Sequence, residues 1–145
     1  MFTIRQATFK DAHDIAVLCG QLGYPSTPEE VSRRLEYILN CSDHALFVAE
    51  SQGGTVIGWA HVYNYVLPES DLIAEVGGIV VDQNHRGMGI GRKLIKYVEQ
   101  WAWENGQAKV IIRSNVIRSE SHRFYENLGY AVVKKQVVRC RALTL

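Results

Sequence analysis

Gln83-Asn84-His85-Arg86-Gly87-Met88-Gly89-Ile90-Gly91 decides how this chain is read. The stretch follows an apolar run, Leu72 to Val81. It leads into the clearest amphipathic pattern in the sequence, Gly91 to Asn105, with Leu94, Ile95, Val98, Trp101 and Ala102 on one side. That is a strand, a loop and a helix. Glycines at alternate positions let the backbone approach a ligand and turn successive N–H groups toward one point. Those amides run into a helix N-terminus, whose partial positive charge favours an anion. Arg86 and Arg92 add charge in the planar form that matches phosphate oxygens. The stretch therefore predicts a pyrophosphate site formed by Arg86, Gly87, Met88, Gly89, Ile90, Gly91 and Arg92.

Working toward the N-terminus, Leu72–Val81 is preceded by two further strands, 45–50 and 56–66, joined by a Ser51-Gln52-Gly53-Gly54 turn. Before them come two helices. The first has Thr8 and Asp11 at its start, apolar Ala12, Ile15, Cys19 and Leu22 on one face, and Gly23 as its stop. The second opens with Thr27-Pro28-Glu29-Glu30 and buries Val31, Leu35 and Ile38. Residues 2–7 form an initial strand. Toward the C-terminus, 109–114 reads as a strand, 119–128 as a helix ended by Gly129, and 131 to about 140 as a last strand. The order βααβββαβαβ does not alternate strictly. It predicts an α/β (α+β) fold with a mixed sheet flanked by helices, rather than a doubly wound parallel one.

Composition narrows the function classes. A chain of 145 residues with no repeat or Pro/Gly-rich linker is expected to form a single domain, 1–145. Its net charge of +1 argues against a nucleic-acid partner. Cys19, Cys41 and Cys140 lie at wide spacings without a CxxC or Cys/His ligand pattern, so neither a metal site nor a disulfide scaffold is expected. Nothing in the sequence approaches a membrane span or a signal peptide, which predicts a cytoplasmic protein without a membrane partner.

A Walker loop requires GxxxxGK[ST], whereas Gly87 is followed five residues later by Arg92, where the second glycine would stand. A dinucleotide fingerprint is GxGxxG early in a βαβ unit, and this stretch is GxGxG after a meander of strands. The pattern that fits at every position is Q-x-x-R-G-x-G-x-G/A. Here the chain resembles the GNAT superfamily of acetyl-CoA-dependent N-acetyltransferases. Ser121-His122-Arg123-Phe124-Tyr125-Glu126-Asn127-Leu128-Gly129-Tyr130 is also similar to that family's A-x-x-F-Y-E-x-x-G-F segment, with Ser121 for Ala and Tyr130 for Phe. The resemblance covers nearly the whole chain. It implies a GNAT-type sheet, mostly antiparallel and splayed after the fourth strand, with acetyl-CoA as cosubstrate and no metal.

Acetyl transfer to an amine needs a neutral nucleophile, a stabilised oxyanion and a protonated leaving thiolate. Glu75 is the candidate base, because it sits in an otherwise apolar strand. Glu75-Val76-Gly77-Gly78-Ile79-Val80-Val81 also looks like the strand of the family's histone-acetylating branch, whose Glu acts as base. The alternative is a solvated carboxylate at a strand edge, or one beside a basic partner. Gly77-Gly78 within a strand marks a bulge or a close backbone approach, either opening a slot for a ligand or relieving packing under Tyr63 or Trp59. The resemblance implies that the coenzyme's pantetheine arm lies along Ile79, Val80 and Val81, with the Ile79 N–H as oxyanion donor. It likewise implies Tyr125 as the acid at the coenzyme sulfur and Asn115 as a coenzyme contact. A core aromatic and a turn asparagine are the alternatives. His61, His85 and His122 read as ordinary imidazoles.

The resemblance places the acceptor between the first two helices and in the loop 64–71. Tyr24, Tyr63 and Tyr65, with Glu69 and Asp71, there suit a small polar or cationic amine by charge and by ring faces. The expected reaction is direct attack of a primary amine on acetyl-CoA in a ternary complex, since no cysteine lies in an activating motif. Alternatives are acetylation of a protein N-terminus or lysine, transfer of a longer acyl group, or a non-catalytic acyl-CoA sensor. A homodimer is compatible with the sequence.

Overall fold

The computed structural model describes residues 1–114 and 119–144. The chain divides into two compact units, Met1–Arg113 and Ser114–Leu145. In the first, strand β1 (Phe2–Gln6) is followed by helices α1 (Ala12–Leu22) and α2 (Pro28–Ile38) and by strands β2 (His44–Ser51), β3 (Val56–Leu67) and β4 (Ser70–Val81). Helix α3 (Ile90–Glu104) and strand β5 (Val110–Ile112) complete it. The sheet order is β1-β2-β3-β4-β5, antiparallel except for the β4–β5 pair.

Local chemistry sets the helix boundaries. Thr27 and Glu30 cap α2 reciprocally: Glu30 N–H donates to Thr27 Oγ1 at 3.1 Å, and Thr27 N–H to Glu30 Oε1 at 2.9 Å. The first turn after Thr8 is a separate 3-10 turn, Phe9–Asp11, with Thr8 as its N-cap and Asp11 reaching back to it. Its carboxylate receives Thr8 N–H at 2.7 Å and both terminal nitrogens of Arg5 at 2.8 Å. Burial pushes the Asp11 pKa up, but Arg5 and the Thr8 amide outweigh it and hold it below the usual carboxylate range.

Alternation along the strands gives the sheet two buried faces. Leu46, Val48, Trp59 and Val80 pack against Ile15, Leu18, Val31 and Leu35 of α1 and α2. Phe47, Ala49, Ala60, Val62 and Val76 pack against Ile90, Leu94 and Val98 of α3. Among the described residues no helix is long and apolar enough to cross a membrane.

The second unit contains α4 (Ser119–Asn127). The strand expected over 131–140 is not formed: these residues are outside helix and strand, and exposed. A strand requires a hydrogen-bonding neighbour, and α4 is the unit's one regular element among the described residues.

Candidate active site

Loop 83–89 leaves β4 and enters α3 as the glycine spacing requires. Gly87 and Gly89 take left-handed φ of 78° and 81°, and Gly89 is the N-cap of α3. The first-turn amides that follow have no intrahelical acceptor and point out of the helix end. Ile90 is fully buried in the α3 core, so only its backbone faces that end. Arg86 Nε donates to Val81 O at 3.2 Å, bringing its guanidinium to the end of β4.

An unanticipated clamp fixes the loop's entry. Gln21 of α1 donates to Asp82 Oδ1 at 2.8 Å and accepts from Gln83 N–H at 2.9 Å. Asp82 Oδ2 lies 2.6 Å from His85 Nδ1. Gln21 first, and then His85, hold the Asp82 pKa below its usual range.

The double glycine of β4 is a bulge. Val62 faces Val76 and His61 faces Gly78, leaving Gly77 as the extra residue. Both glycines also make room for rings of β3. A Cβ on Gly77 would collide with His61 Nδ1 and stand 3.0 Å from its Cε1; one on Gly78 would stand 3.0 Å from Trp59 Cη2. The packing alternative is thus realised under Trp59, and under His61 rather than Tyr63. On the other edge, β5 pairs with β4 only from Ala74 to Val76. Gly77–Val81 therefore has no strand neighbour on that side among the described residues. That open edge includes Ile79, Val80 and Val81. Val80 packs its side chain into the α1/α2 core.

Tyr63, Tyr65 and Glu75 come together on the face of α1 and α2. Glu75 is buried, and its carboxylate accepts from Tyr65 Oη at 2.6 Å, Tyr63 Oη at 3.3 Å and Arg113 Nε at 3.0 Å. Of the readings weighed for Glu75, the basic partner is present: it is Arg113. Burial and then the Glu75 charge raise the Tyr63 phenol; the hydrogen bond to Glu75 raises that of Tyr65. The expected use of ring faces is not available at Tyr63. His61 and Tyr65, its neighbours along β3, flank that ring at 5.5 Å each, and His44 stacks at 5.4 Å. The hydroxyl edges are what remains uncovered by rings, because like-facing residues of adjacent pairs stack on one another.

The row continues into a histidine pair. His44 Nδ1 and His61 Nε2 are 2.9 Å apart, with rings stacked at 5.1 Å and 8°. Burial, then His44, push the His61 pKa down to about 4. Beneath the pair, a cavity of about 180 Å³ between α2 and the sheet is lined by Cys19, Arg34, Leu35, Leu46, Trp59 and His61.

Tyr24 is exposed, its N–H closing the end of α1 on Cys19 O at 2.9 Å. Tyr125 belongs to α4 of the second unit, where its ring meets Phe124 at 5.2 Å and Tyr130 at 6.2 Å. Asn115 lies outside the described residues. Arg113 and His44 were not singled out in the sequence. Their positions depend on the 75↔111 and 44↔63 strand registers, although the alternation His61, Tyr63, Tyr65 was readable as one face.

Known proteins share this fold and much of its sequence pattern. Residues 9–130 match the model of the acetyltransferase (GNAT) family. Aminoglycoside N(6')-acetyltransferase type 1 of Serratia marcescens is 29% identical over 119 residues, covering 79% of this chain and 82% of that protein. The enzyme of the same name from Stenotrophomonas maltophilia is 29% identical over 139 residues, covering 93% and 90%. The crystal structure of glucosamine-6-phosphate N-acetyltransferase from Arabidopsis thaliana superposes with a TM-score of 0.82 at 27% identity, covering 97% and 98%. A glycine loop that caps α3, a bulged strand with an open edge and a family match across both units lead to one conclusion: the chain belongs to the acetyltransferase (GNAT) family and is an acetyl-CoA-dependent acyltransferase.

Proposed function

We propose that the protein transfers the acetyl group of acetyl-CoA to a primary amine of a small polar or cationic acceptor, by direct attack in a ternary complex. The 6'-amine of an aminoglycoside is the first acceptor class to test, given the relatives named above. The observation that carries the reading is the buried Glu75 carboxylate, with Tyr63, Tyr65 and Arg113 around it, on the face beside the bulge of β4.

In this reading the two units form one N-acetyltransferase domain, supported by a family match that crosses their junction. The amides and arginines of 86–92 hold the pyrophosphate, and Asn115 adds a contact. Ile79, Val80 and Val81 line the pantetheine arm through their backbone, the Ile79 N–H stabilising the oxyanion. Glu75 takes a proton from the incoming ammonium, directly or through water, and Tyr125 donates to the departing sulfur. Tyr63 and Tyr65, with Tyr24 at the rim, contact the acceptor. The acceptor is thus a small molecule, and the enzyme acts in the cytoplasm.

The test is thiol release from acetyl-CoA across a panel of aminoglycosides, polyamines, amino acids and peptides. Amine-dependent release well above hydrolysis is expected for at least one class. Binding of acetyl-CoA with no acceleration by any amine would replace this reading with that of a sensor.

A further inference from the structure

Forming an amide from an ammonium removes two protons from one nitrogen: one before it attacks, one from the adduct it forms. Glu75 serves the first removal in the reading above, on which this inference rests. Its carboxylate already accepts from three donors. A second acceptor stands on the adjacent strand.

His61 faces Gly78 across the β3–β4 ladder, and its chain neighbour Ala60 faces Ile79, the residue assigned to the oxyanion. Its ring leans over Gly77, where a side chain would strike Nδ1. The other nitrogen, Nε2, lies 2.9 Å from His44 Nδ1. Half-buried His61 also borders the cavity under α2, while half-buried His44 stands at the far end of the pair. The groups facing the pair are Cys19 of α1, Arg34 and Tyr37 of α2, Tyr63 of β3, and Glu75 of β4 through Tyr63. With a pKa near 4, His61 is neutral at physiological pH and has a lone pair to offer.

We propose that His61 and His44 form the exit for the proton shed by the newly acylated nitrogen. The C–N bond has formed when this step begins. The N–H bond breaks toward His61 Nδ1, leaving its electron pair on nitrogen. As His61 gains that proton it passes its Nε2 proton to His44 Nδ1, and His44 releases its own Nε2 proton to water. The C–S bond then breaks with its pair going to sulfur, which Tyr125 protonates. Each imidazole gains one proton and loses one. Water restores both tautomers when the product leaves.

The experiment compares wild type with His61→Gln and His61→Ala, on an amine that wild type acetylates. Glutamine can keep the hydrogen bond to His44 Nδ1 but cannot accept and pass on a proton. Both variants are expected to lose kcat by about 10²–10³, within the range of a positioned acid or base, while acetyl-CoA still raises their melting temperature. Added imidazole should restore part of the rate in His61→Ala and none in His61→Gln, whose side chain fills the space. Retention of kcat within about threefold by His61→Gln overturns the proposal. So does a loss in a folded, acetyl-CoA-binding His61→Ala variant that imidazole leaves unchanged. Failure of wild type to acetylate any amine would instead overturn the acetyl-transfer reading.

Discussion

Replacing Gly77 with alanine adds one methyl group where β4 has none to spare. Gly77 is not among the described glycines with positive φ, so the backbone accepts alanine without strain. The smaller unfolded-state entropy would by itself stabilise the variant by ~0.4–1 kcal/mol. The methyl instead meets His61, whose Nδ1 it would overlap and whose Cε1 it would reach at 3.0 Å. His61 cannot swing aside cheaply, since it is hydrogen-bonded to His44 and stacked on both His44 and Tyr63. Overpacking of this kind costs about 1–3 kcal/mol, so the net loss is about 1–2 kcal/mol. For a chain of this size that lowers Tm by roughly 3–8 °C, measurable by calorimetry or dye fluorescence. In a His61→Ala background the obstacle is gone, and Gly77→Ala should raise Tm by roughly 1–3 °C. An equal fall in both backgrounds would refute the argument that His61 is why position 77 is glycine.

Three other outcomes are expected. Gly89→Val forces a branched side chain into φ 81° at the N-cap of α3, and should abolish the rise in Tm produced by acetyl-CoA. Glu75→Gln should lower kcat/KM by roughly 10²–10³, with partial recovery at higher pH as more of the amine arrives neutral. A structural Glu75 would change Tm more than rate, and a substrate anchor would raise KM at constant kcat. Tyr125→Phe should reduce kcat by ~10²–10⁴ and leave acetyl-CoA binding intact, read by steady-state kinetics and thermal shift.

What could be read in advance was local. Loop 83–91 needed only alternating glycines between a strand and a helix, and the cap of α2 only Thr27, Pro28 and Glu30. The Gly77-Gly78 bulge was also legible, because glycine pairs rarely serve a strand otherwise. Its cause was only half legible, since the ring over Gly77 belongs to His61. Partners set by register were hidden. Arg113 reaches Glu75 because β5 pairs parallel with β4 at 75↔111, and His44 reaches His61 because β2 and β3 align at 44↔63. The stacking around Tyr63 was hidden for a related reason: alternation places His61, Tyr63 and Tyr65 on one face, but that they pack ring against ring depends on their side-chain conformations. The strand expected over 131–140 had the right residues and lacks a partner strand among the described residues of its unit.

Acetyl transfer by direct attack is tested most directly by separating the two substrates in time. The protein is incubated with acetyl-CoA alone, freed of coenzyme by rapid gel filtration, and then given an amine that it turns over when both substrates are present. Intact-mass analysis should show an unmodified protein after filtration, and no amide should form until acetyl-CoA is returned. An acetylated protein that passes its group to the amine after the coenzyme has been removed would contradict the account.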